Sequence, residues 1–226
     1  MVILNEILQQ LERNKNPDKA AGMKNFGIAT NNALGVSVPV LREIAKNYKN
    51  NSPVALALWD TSFHEAKLLA TMIADRKMFS EAQMDAWTRD FNSWDICDGA
   101  CYNLFRYLPW AYDKIPVYAQ YEEEFIRRTA FSLTAGLAIG DKKSNDKVFV
   151  PYFELIKSHS NDDRNFVYKA VNWSLRQIGK RSLFLREKAL EVALELKESD
   201  SKTARWIGSD AFRELSNPKI IARIKH

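Results

Sequence analysis

Apolar residues recur along the chain at intervals of three and four, and windows of this kind follow one another from the first residues to the last. That spacing places one apolar stripe on a helix. No window of four to eight residues alternates apolar and polar side chains with β-branched enrichment, so the pattern predicts helices throughout and no sheet. Punctuation agrees with it. Ser80-Glu81-Ala82-Gln83 reads as a capping box, and Asn217-Pro218 and Ser52-Pro53 each read as an N-cap followed by proline, because first-turn amides need a partner or need to be absent. Breaks near Gly35 to Pro39, Ser52, Ser80, Asn92, Pro109, Gly140, Asn161, Gly179 and Ser201 leave roughly a dozen helices of about 10 to 18 residues. Amphipathic helices joined by short breaks fold as antiparallel hairpins stacked side by side, here with a pairing period of about 40 residues, as in two-helix solenoid repeats. No Ser/Gly/Pro-rich linker divides residues 1–226, which read as one all-α domain.

Composition narrows the class. With 46% hydrophobic and 27% charged residues but only 8 Gly and 7 Pro in 226, the chain is neither disordered, collagen-like nor turn-rich all-β. Its two cysteines, Cys97 and Cys101, provide neither a disulfide framework nor a four-ligand zinc set, and their i,i+4 spacing puts two small apolar groups on one helix face. The uncharged stretch from Asn25 to Leu41 is interrupted by Asn31, Asn32, Gly35 and Pro39, and Thr129 to Gly140 is too short for a bilayer; no membrane span is expected. The first residues lack the basic and long apolar regions of a signal peptide, which points to the cytoplasm. His64-Glu65 is followed by Ala66, Lys67 and Leu68 rather than a zinc-binding helix pattern, and the other histidines are His159 and His226. Without a Gly-rich phosphate loop or a nucleophile elbow, neither metal, cofactor, nucleotide hydrolysis nor acyl transfer is expected. The net charge of +5 is local: residues 1–120 hold 13 basic and 13 acidic side chains, residues 121–226 hold 20 and 15.

Three segments carry candidate chemistry. From Arg164 to Arg181 there are five basic residues and no acidic one. At about 100° per residue, Phe166, Val167, Ala170, Val171, Leu175 and Ile178 form a core face, and Lys169, Trp173, Arg176 and Lys180 fall in a wedge of roughly 60° opposite. Aromatic and cationic groups together suit stacking on sugar or base and neutralising phosphate; the plainer alternative is a basic surface with Trp173 covered by its neighbours. On the helix after Asn92-Ser93, the residues Ile96, Cys97, Ala100, Cys101 and Leu104 face the core, while Trp94, Asp98 and Tyr102 form an i, i+4, i+8 row at its margin. Asp98 stands too late to cap, which leaves a surface carboxylate, a salt bridge with Arg106, or a functional role. Asp95 suits the dipole of the first turn. Finally, Ile126, Ala130, Leu133 and Leu137 form a core stripe that turns Arg128 outward between the small Ser132 and Ala135.

Taken together these residues resemble the AlkD-like family of bacterial DNA alkylation-repair glycosylases. The resemblance is carried by Gly35-Val36 with Pro39 to Lys46, His64-Glu65, Trp94-Asp95-x-x-Asp98, Arg127-Arg128-Thr129-Ala130 and Phe166-x-x-Lys169-Ala170-x-x-Trp173-x-Leu175-Arg176, in the family's order across residues 35–176. It implies a curved α-solenoid of about six antiparallel HEAT-like helical pairs, monomeric, whose basic concave groove holds double-stranded DNA with alkylated bases. The implied activity is excision of cationic N3- or N7-alkylated purines without metal or cofactor, in the cytoplasm and on the nucleoid when DNA-bound. Trp94, Asp98 and Trp173 would surround the damaged nucleotide's sugar, Arg128 would contact the backbone, and Lys169, Arg176 and Lys180 would neutralise phosphates. For the family's early-helix aromatic, the stretch from Ala21 to Phe26 offers only Phe26. The competing classes are a noncatalytic helical-repeat module that binds DNA and a scaffold that binds protein alone.

Overall fold

A computed structural model describes residues 2–28 and 30–224, and all regular structure among them is helical. Met1, Ala29, Lys225 and His226 lie outside the described residues. The chain divides into two compact units, Met1–Trp110 and Ala111–His226. The first contains α1 (Val2–Arg13), α2 (Pro17–Met23), α3 (Val38–Lys46), α4 (Ser52–Trp59), α5 (His64–Ile73), α6 (Glu81–Arg89) and α7 (Trp94–Asn103). The second contains α8 (Ala111–Ala119), α9 (Glu124–Gly140), α10 (Pro151–Ser158), α11 (Asn165–Gly179), α12 (Leu183–Lys197), α13 (Lys202–Leu215) and α14 (Pro218–Ile221). Among the described residues, no helix is long and apolar enough to cross a membrane.

In the first unit, α5 is the central helix and packs on α3, α4 and α7. Its neighbours in sequence are held by an aromatic cluster in which Trp59 stacks on Trp87 at 3.9 Å between ring centres, with Phe79 and Phe91 edge-on to the pair. Cys97 and Cys101 are both buried on α7, as their spacing predicts. In the second unit, α9 packs on α8 and α11, and α13 on both α11 and α12.

Local chemistry explains the boundaries. Ser80 and Gln83 form the reciprocal capping box at α6, and Asn217 caps α14 ahead of Pro218. At α4 the cap sits one residue earlier than expected. Asn51 accepts from Val54 N at 3.2 Å, while Ser52 is already the first residue of α4 and its hydroxyl accepts from the Asp75 amide at 3.2 Å. Gly35 has φ +75°, and a Cβ there would lie 2.1 Å from the Asn16 carbonyl oxygen, so only glycine lets this loop press against the start of α2.

The outward turn of Arg128 is corrected by the structure. Residues of α9 are buried on all sides from Thr129 to Ala138, Ser132 and Ala135 are fully buried, and Arg128 itself is 6% exposed. Its Nη1 donates to the Phe166 carbonyl at the start of α11. The expectation treated α9 as amphipathic, whereas it packs in the middle of its unit, where small residues admit neighbouring helices rather than a ligand.

Candidate functional site

The candidate residues occur in both units: Trp94 and Asp98 in the first, Arg128, Lys169, Trp173, Arg176 and Lys180 in the second. In the first unit, Trp94 and Asp98 are part-buried and stand one turn apart on α7, which begins at Trp94 after the N-cap position Ser93. The Ser93 hydroxyl does not cap; it donates to the Asp95 carboxylate. His64 Nε2 donates to the other oxygen of Asp95 at 2.8 Å, and the Ile96 amide donates to Asp95 Oδ1 at 3.0 Å. Burial opposes ionisation of Asp95, but the hydrogen bond and charge of His64, with Ser93 and Ile96, outweigh it and lower its pKa from the usual aspartate value. Asp95 therefore fixes the first turn of α7 to α5, and with it the bearing of Trp94 and Asp98.

The next residue of α5 secures a second support. Glu65, 1% exposed, accepts from the amides of Leu34 at 2.8 Å, Gly35 at 2.7 Å and Val36 at 3.3 Å. The loop so held meets the beginning of α2, where the Asn16 amide donates to the Leu34 carbonyl at 2.8 Å. A 3₁₀ turn, Lys24–Phe26, follows α2, and the Phe26 carbonyl accepts from Trp94 Nε1 at 2.9 Å. Phe26 itself is 69% exposed. A polar pocket of about 350 Å³, lined by Asn31, Asn32, Ser62, His64, Lys67 and Asn92 among others, adjoins the His64–Asp95 pair.

In the second unit, α11 presents the expected faces. Val167, Ala170, Val171, Leu175 and Ile178 are buried, Lys169 is exposed, and Trp173, Arg176 and Lys180 are part-buried. Two of the cations have acidic partners on α13. Arg176 pairs with Glu214 and with Asp210 at 3.4 Å, and Lys180 Nζ donates to Glu214 Oε1 at 2.6 Å. Burial resists ionisation of Glu214, but Lys180 and Arg176 prevail and lower its pKa. With the Gln177 amide turned to accept, its oxygen takes hydrogen bonds from Lys180 Nζ at 2.9 Å and Trp173 Nε1 at 3.0 Å, which holds the indole beside the cations. Lys169 makes no ion pair among the described residues. Arg127, adjacent to Arg128, ties α9 to the loop before α11: Nη1 donates to Asp162 at 2.9 Å, and Arg164 binds the same carboxylate. Although burial disfavours the Asp162 carboxylate, these guanidinium groups hold its pKa at about 2.

The sequence reading missed four participants: Glu65 and His64 as supports, and Asp210 and Glu214 as counter-charges. A signal for the last pair was present, since Asp210 and Glu214 repeat the i,i+4 spacing of Arg176 and Lys180 about one helical-pair period further on.

Residues 7–215 of the chain match the family described as DNA alkylation repair enzyme. No curated protein matches the sequence. A solved structure described as "A new family of proteins related to the HEAT-like repeat DNA glycosylases with affinity for branched DNA structures" is 21% identical, with a TM-score of 0.76 over 93% of this chain and 94% of that one. The two share a fold.

Proposed function

Since the chain belongs to the DNA alkylation repair enzyme family, we propose that it is a DNA glycosylase that hydrolyses the N-glycosidic bond of cationic N3- or N7-alkylated purines in duplex DNA. The observation that carries this reading is the placement of Asp98 one turn beyond Trp94 on a helix whose first turn is held by His64 and Asp95. Cleavage of a glycosidic bond builds oxocarbenium character on the sugar, and glycosidases ordinarily need one carboxylate to stabilise it and an acid to protonate the leaving group. An alkylpurine that carries a positive charge leaves as a neutral base, so one carboxylate is sufficient. Asp98 stabilises the sugar cation and orients the attacking water; Trp94, one turn before it, turns an electron-rich face to the sugar, worth about 0.5 to 2 kcal/mol.

The test is release of free 7-methylguanine and 3-methyladenine from methylated duplex DNA by the purified protein. Release supports the glycosylase. Salt-sensitive binding of duplex without release favours the second reading, a noncatalytic DNA-binding module, for which the shared fold with a protein described as having affinity for branched DNA speaks. An unaltered Trp fluorescence quenching profile on adding duplex would instead favour a protein scaffold.

Among the cations of α11, Lys169 is the one with neither burial nor an ion pair to hold it back from phosphate. Lys169→Ala is expected to reduce the slope of log K against log salt by about one unit. Arg176 and Lys180 must share their charge with Glu214, so their alanine variants are expected to change the slope by less. A Lys169→Ala slope equal to wild type would remove Lys169 from the interface.

A further inference from the structure

The Trp94, Asp98 row on α7 runs on to Tyr102, which is 39% exposed, and there meets a stack of alternating rings and guanidinium groups. The Arg106 guanidinium carbon lies 3.8 Å from the Tyr102 ring centre and 4.8 Å from that of Tyr107. That of Arg76 lies 3.4 Å from the centre of Tyr107. Arg76 and Tyr107 are exposed, and Arg76 makes no ion pair among the described residues. Three cations of this unit are paired, Lys67 with Asp90, Lys46 with Glu43 and Lys15 with Glu12, whereas Arg42, Lys49 and Lys77, like Arg76, have no ion pair among the described residues.

Arg76 Nη2 donates to the Asn103 carbonyl at the end of α7, at 3.2 Å, and Arg106 Nη2 donates to the Tyr107 hydroxyl at 2.7 Å. These two bonds orient the guanidinium planes. Closing a helix C-terminus needs a single donor, so that role alone explains neither the open edge of Arg76 nor the exposed Tyr107 ring against it. A guanidinium laid flat on a ring keeps its edge for an oxyanion, and the ring removes rotamer freedom before any ligand arrives.

We propose that the Tyr102, Arg106, Tyr107 and Arg76 ladder is a phosphodiester clamp that grips a DNA strand beside the nucleotide facing Trp94 and Asp98. This rests on the DNA-binding reading above. Eight residues separate Trp94 from Tyr102, about 12 Å along the helix at 1.5 Å per residue. From Tyr102 the stack continues over Arg106 and Tyr107 to Arg76 in steps of 3.8, 4.8 and 3.4 Å, so Arg76 meets a phosphate flanking the nucleotide at Trp94 rather than that nucleotide's own.

The test measures duplex binding across a salt series for wild type, Arg76→Ala, Arg76→Lys and Tyr107→Leu, with circular dichroism to verify folding. Arg76→Ala is expected to weaken binding about tenfold at low salt and to reduce the salt slope by about one. Arg76→Lys retains the charge without the plane and recovers the slope but not the full affinity; Tyr107→Leu weakens binding with Arg76 intact. Replacing single phosphates by neutral methylphosphonates on a lesion-bearing duplex should weaken wild type at one position flanking the lesion and leave Arg76→Ala indifferent there. Wild-type affinity and slope in Arg76→Ala overturn the clamp while leaving the DNA-binding reading in place. Wild-type protein that binds no duplex overturns both.

Discussion

Asp98→Asn is expected to lower the single-turnover rate of 7-methylguanine release by a hundred- to a thousandfold while duplex affinity stays equal or rises. A carboxylate about 4 Å from the developing sugar cation contributes on the order of 4 kcal/mol at an effective dielectric of 20, roughly a thousandfold in rate. Because Asp98 is part-buried rather than sealed from water, screening trims the effect, hence the lower bound. Asparagine keeps the size but not the charge. An anion on a surface that meets phosphates works against binding, so its removal should not weaken the complex. That sign separates a catalytic from a structural carboxylate. If Asp98→Asn lost affinity in step with release, or kept its release rate, the proposed chemistry would have to move to another residue. If it lost secondary structure, Asp98 would be a support of α7 and not a participant.

The helices could be read along the chain because their signals are local: apolar spacing within a turn, capping serines and asparagines, prolines at starts. The row of Trp94, Asp98 and Tyr102 and the two faces of α11 were equally legible, since one helix period sets both. The residues that escaped notice act across the chain. Glu65 reaches back to Leu34, Gly35 and Val36, His64 reaches forward to Asp95, and Glu214 reaches back to Arg176 and Lys180. Each spans roughly one helical pair, and nothing within a single turn marks such a partner. The same limit explains Arg128. Its stripe of apolar neighbours reads as one buried face, and only packing of α8 and α11 around α9 shows that the remaining faces are buried as well. His64-Glu65, a pair that fits no metal or catalytic pattern, emerges as the point from which one loop and the first turn of α7 are held.

The largest stability effect is expected at Glu65. Its buried carboxylate has three amide donors, so Glu65→Ala strands the buried N–H groups of Gly35 and Val36 and the part-buried one of Leu34 at once. Each unsatisfied group costs about 1 to 3 kcal/mol, and relaxation of the loop recovers part of it, which leaves a net loss of about 3 to 5 kcal/mol. For a chain of this size that is a fall in melting temperature of roughly 6 to 20 °C. Glu65→Gln tests the assignment more sharply, since it keeps the volume. Oε1 serves Gly35 and Val36 and Oε2 serves Leu34, so an amide can satisfy one side only and must point its NH₂ at a donor on the other. Stability should therefore fall in the order wild type, Gln, Ala, with the Gln variant losing about 1 to 3 kcal/mol. Urea unfolding measures the order, and amide exchange at Leu34, Gly35 and Val36 localises it. A Gln variant as stable as wild type would show that the carboxylate charge does not hold the loop. The consequence extends beyond stability. The loop that Glu65 holds presses Gly35 on the start of α2, and the 3₁₀ turn that follows α2 ends at the Phe26 carbonyl to which Trp94 is bonded. Loosening that loop should free the Trp94 indole, so the Ala variant is expected to show greater solvent quenching of Trp fluorescence even at temperatures where it remains folded.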